Sequence, residues 1–147
     1  MVKNELAVKN LIGLLRDSEK GFNDLGVAMH GRQYREFFLG EARVREVFAL
    51  QLERALSTAT GVMVHETGTT LGTIHRTYAD MKAKLGAGDH AMLGTVQHCE
   101  RFLVGIYRQV LKDVEMPDAM RALVAEQEEH VRRTHGLVRR YHDALER

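Results

Sequence analysis

Apolar residues recur along most of this chain at alternating spacings of three and four, the pattern of helices that each bury one stripe. In the first segment Val8, Leu11, Leu15, Ser18, Phe22, Leu25 and Met29 keep that spacing, and the stripe stops near His30 and Gly31. A second segment opens around Arg32 and carries Tyr34, Phe38, Glu41, Arg45, Phe48, Leu52 and Ala55 to an end near Thr60 and Gly61. A third holds Leu93, Val96, Glu100, Leu103, Tyr107, Val110 and Val114, and the last holds Met120, Val124, Gln127, Val131, Thr134, Val138, Tyr141 and Leu145. Pro117 stands in the short link before the last segment, where its fixed φ suits the first turn of a helix. From 60 to 70 the chain reads TGVMVHETGTT, an ordered loop by composition; Leu71 to Leu85 regains helical character before Gly86 and Gly88 break it.

Four segments of roughly 25 to 29 residues, each about 40 Å long as helices, are matched rods, and matched rods make a four-helix bundle. Short links after the first and third segments force antiparallel neighbours. The long middle link, residues 61 to 87, is sufficient to return the chain to the other end. The expected fold is therefore all-α: a ferritin-like up-down-down-up four-helix bundle with a short crossover helix between helices 2 and 3. A plain up-down-up-down bundle stays open if that extra helix packs across one end.

Composition narrows the function classes. With 147 residues, 44% hydrophobic and 28% charged, the chain is expected to form one domain over 1–147 with a real core. Lys plus Arg number 21 against 20 Asp plus Glu, so there is no long-range field for nucleic acid or for an anionic membrane. A single cysteine, Cys99, excludes an internal disulfide and a thiolate metal cluster, which fits a reducing, cytoplasmic setting. The opening MVKNELAVKNLIGLL is too interrupted by polar residues for a signal-peptide core or a membrane span. Without a Gly-rich phosphate loop, a Ser/His/Asp set or a Cys/His dyad, nucleotide-binding and classical hydrolase readings fall away.

The candidate chemistry lies in polar residues at stripe positions, since a buried carboxylate needs a partner. Glu41 and Glu100 occupy the stripes of the second and third helices, and Glu19 borders the first. Gln127 and Thr134 lie on the last, with His130 and His135 beside them. Counted from the His30 turn, Glu19 stands eleven residues before it and Glu41 eleven after, while Glu100 lies twelve from Gly88 and His135 ten from Leu145. Glu19, Glu41, Glu100 and His135 are thus expected in one layer, with His130 an alternative ligand a turn lower. Carboxylate oxygens with an imidazole nitrogen suit iron or manganese. The competing reading pairs these carboxylates with Arg45, Arg101 and Arg132 as ion pairs in a non-catalytic interaction bundle. Glu-x-x-His, the diiron signature, does not occur: three residues before His130 and His135 stand Gln127 and Arg132.

The segments RDSEKGF at 16–22, GTIHRTYADMK at 72–82 and CERFLVGIY at 99–107, with Gln127, His135 and Val138, resemble an uncharacterised bacterial ferritin-like four-helix-bundle family known as a domain of unknown function. The resemblance implies a ferritin-like fold and a link to stress physiology, with no established reaction. It departs at Tyr78, where the family has tryptophan, and at Gln97, where the family has the first member of a Glu-x-x-Glu pair. Ferritin-like bundles associate through helix faces, so a homodimer is a further expectation.

Overall fold

The computed structural model describes residues 2–64 and 83–145. Its four long helices are α1 (Glu5–Ala28), α2 (Arg32–Thr60), α3 (Asp89–Asp113) and α4 (Asp118–Ala144). Asn4 caps α1 from the left-handed region, a conformation that asparagine tolerates better than most residues, and its side chain accepts from the Ala7 N–H. α2 closes at Gly61, whose φ of 75° is the left-handed cap that favours glycine. Pro117 precedes α4 as its cap instead of opening its first turn.

Hydrogen bonds at the two ends fix the topology. At one end the Asp89 carboxylate, at the start of α3, accepts from the backbone N–H groups of His30 and Gly31, each at 2.8 Å. A Cβ at Gly31 would meet the Tyr34 ring at 2.6 Å, so any side chain here would displace that ring. At the other end the Lys3 N–H donates to the Glu115 carbonyl at 3.0 Å, joining the entry to α1 with the exit from α3. α3 therefore runs against α1 and parallel to α2. Tyr141, late in α4, packs edge-on against Tyr34 and Phe37, early in α2, which sends α4 back up. The order is up-down-down-up, as the loop lengths predict. Residues 61–88 link the far end of α2 to the near end of α3; the predicted helix from Leu71 and the GTIHRTYADMK segment fall largely or wholly outside the described residues.

α1 with α2 and α3 with α4 pack as two hairpins, more extensively than the hairpins pack on each other. Leu11, Leu15, Phe22 and Leu25 of α1 meet Phe38, Leu52 and Leu56 of α2 together with Val96, Leu103, Val131 and Val138 in one continuous core. Cys99 is buried within it. No helix among the described residues is long and apolar enough to cross a membrane.

Candidate functional site

The core contains a charged layer. Arg45, on the buried stripe of α2, is fully enclosed, and its guanidinium lies among side chains from three helices. Its Nε donates to Glu41 Oε2 at 3.2 Å, one turn back on the same helix. Nη1 donates to Ser18 Oγ of α1 at 3.0 Å and to Glu100 Oε2 of α3 at 2.9 Å, while Nη2 donates to Glu100 Oε1. The pair with Glu100 is a fork on a fork, the geometry in which a planar guanidinium best matches a carboxylate. Above the cation lies the Phe22 ring, 4.7 Å from its centroid, adding the attraction of a π face. From α4, His130 Nε2 donates to Glu41 Oε1 at 2.9 Å.

Two buried carboxylates share one guanidinium, and this explains how they differ. Burial pushes the Glu41 carboxyl up, but the His130 hydrogen bond and the Arg45 charge outweigh it and hold the group below the ordinary carboxylate range. Glu100 has no exposed surface, and there burial wins over Arg45 and is reinforced by the Glu41 charge, so its carboxyl is pushed up. A neutral layer follows toward the other end. Tyr107, whose hydroxyl burial also pushes up, donates to Gln127 Oε1 at 2.8 Å, and the Gln127 amide reaches the Phe48 carbonyl at 3.2 Å and Gln51 at 3.1 Å.

Of the five residues expected around a cation, Glu41, Glu100 and His130 are brought together, and Glu19 and His135 are not. Glu19 lies with Glu46 beside a groove between α1 and α2, its carboxyl raised by partial burial and by Glu46, and it is 3.6 Å from Arg16. The α1–α2 register thus sets it opposite Glu46, more than a turn from Glu41. His135 stands level with Glu100 but turned about 140° around α4 from His130, which puts it on the outer α3–α4 seam. Its Nε2 is buried without a hydrogen-bond partner. Among the predicted counter-ions, Arg45 does pair with both Glu41 and Glu100, whereas Arg132 pairs with Glu128 at 3.7 Å. Sequence reasoning missed the partly buried Arg16–Glu53 pair at 2.8 Å, for Glu53 sits beside Leu52 on the same stripe. Among the described residues no group of three or more His, Cys, Asp or Glu is arranged to hold a metal ion.

The layer reaches the surface at one edge. A cavity of about 180 Å³ between α2 and α4, lined by Phe48, Gln51, Gln127 and His130 among others, exposes a third of the His130 side chain. The His130 ring stands edge-on to Phe48 at 5.2 Å, which fixes the imidazole against Glu41.

No curated protein and no solved structure matches this chain. A family described as a domain of unknown function, DUF2383, matches residues 3–113, a span that contains Ser18, Glu41, Arg45 and Glu100 and stops where α3 ends. With the match covering most of its length, the chain belongs to the DUF2383 family.

Proposed function

We propose that this domain is a non-catalytic helical scaffold for interaction or assembly, in which the buried carboxylates clamp an arginine and so lock two helical hairpins together. The observation that carries this reading is Arg45 itself: fully buried, with a forked bond to Glu100 and further bonds to Glu41 and Ser18. Of the carboxylate oxygens that a metal would need, the guanidinium holds both of Glu100 and one of Glu41, and His130 holds the other. A buried charge network that is satisfied by hydrogen bonds specifies one arrangement of helices.

A ferritin-like reading, with iron or manganese handled under oxidative stress, draws its support from the convergence of Glu41, Glu100 and His130 from three helices. For that role Arg45 has to leave the layer. Elemental analysis of purified protein, with melting recorded in chelator and in ferrous or manganous ion, separates the two. The scaffold reading expects one melting temperature throughout. Stoichiometric uptake of iron or manganese that Glu41→Ala abolishes overturns it.

A further inference from the structure

The outer α3–α4 seam is a ladder of facing residues seven apart. A Cβ at Gly94 would stand 3.4 Å from His142 Nε2, and fourteen residues along each helix Arg108 Nε is 3.1 Å from Glu128 Oε2. Midway between these rungs the antiparallel register sets Arg101 level with His135. Arg139 follows one turn further along α4, on the same face as His135.

Charge is unbalanced at that middle rung. Glu128 is shared by Arg108 and Arg132, both of which meet its Oε2. Positions three and four away from Arg101 hold Gln97, His98, Val104 and Gly105, none of them acidic. Asp143, one turn from Arg139, is turned instead to His142 at 3.1 Å. Arg101 and Arg139 are exposed, and neither has a carboxylate partner among the described residues. Burial, and after it the charges of Arg101 and Arg139, hold the His135 imidazole below the ordinary histidine value. An imidazole donates at least one N–H in either charge state, and the His135 Nε2 is buried without a hydrogen-bond partner. Gly105, a turn below Arg101, has open space where a side chain would stand.

We propose that the Arg101–His135–Arg139 rung is an anion seat for a phosphate-type oxyanion, held between the two guanidiniums with the imidazole as a third donor. Its chemistry is that of a forked cation meeting a multiply charged oxygen cluster, and it does not depend on the buried Arg45 layer. The same headgroup chemistry comes from dissolved phosphate or from a phosphomonoester lipid.

The test titrates the intact chain with inorganic phosphate against chloride at equal ionic strength, following the His135 ring signals. A parallel arm measures flotation with phosphatidic acid vesicles against phosphatidylcholine vesicles. Saturable phosphate binding is expected, weakened about tenfold or more by Arg101→Gln with Arg139→Gln, since charge-assisted hydrogen bonds are lost. The charge-matched control, Arg43→Gln with Arg54→Gln on exposed positions of α2, should bind as the parent does. Binding confined to phosphatidic acid vesicles and lost in the same double variant assigns the seat to a lipid headgroup. Binding in neither arm, or equal weakening in the control, overturns the proposal.

Discussion

The partners of Arg45 are not equivalent, because two carboxylates face one guanidinium. Removing the cation leaves Glu100 without its counter-charge and Glu41 with His130 alone, whereas removing the Glu41 charge leaves the Arg45–Glu100 pair balanced. Arg45→Met is therefore expected to destabilise the fold by about 3–5 kcal/mol, and Glu41→Gln by about 1–2 kcal/mol, in urea unfolding at neutral pH. The pH dependence separates the two acids. Glu41 has a lowered folded value, since His130 and Arg45 outweigh its burial; its contribution is present above its unfolded value and lost as pH falls through the folded one. Glu100 has a raised folded value from burial, so its contribution is full below its unfolded value and lost as pH rises through the folded one. Urea unfolding from about pH 3 to pH 8 should show Glu41→Gln flattening the acid limb and Glu100→Gln flattening the decline on the other side. Unchanged limbs in both variants would remove this assignment.

At the scale of elements, the spacing of apolar residues was enough to place α2 from Arg32 to Thr60, because glycine bounds it at both ends. The end of α1 was less legible. Met29 leaves the helix with extended backbone and turns its side chain fully into the core, two residues before the glycine that punctuates the sequence. What holds that turn is Asp89, a residue 58 positions away from Gly31 in sequence, and no local pattern reveals such a tie. Asp89→Ala takes the acceptor from two backbone N–H groups and is expected to cost about 1–3 kcal/mol. Hydrogen exchange should show it locally, with the His30 and Gly31 amides losing protection while mid-helix amides in α2 keep theirs. Gly61→Ala, by contrast, strains a left-handed cap and should cost about 1 kcal/mol, read as faster exchange in the last turn of α2.

For the whole molecule, periodicity and loop length were sufficient for the bundle and its chain order, while the layer depended on something they do not carry. Counting along helices gives height, and it put Glu100 and His135 level, which they are; it gives no direction around the axis, and His130, about 140° away on α4, is the histidine that faces Glu41. Interhelix register slipped Glu19 past Glu41 to Glu46 in the same way. Beyond the apolar core they share, the two hairpins are joined mid-bundle and at one end by the Arg45–Glu100 fork, the His130–Glu41 bond, the Gln127 amide on Phe48 and Gln51, and the aromatic contacts of Tyr141 with Tyr34 and Phe37 at 5.1 and 5.6 Å. Helices within a hairpin share far more contact than the hairpins share with each other, so cutting these links is expected to weaken docking before it weakens either hairpin. Tyr141→Ala combined with Arg45→Met is thus expected to loosen docking before it melts helices. Circular dichroism should then retain its far-ultraviolet signal while the near-ultraviolet signal from the tyrosines collapses, and the apolar dye ANS should bind. Simultaneous loss of both signals would mean that the four helices unfold as one unit and that the links between hairpins hold no separate step.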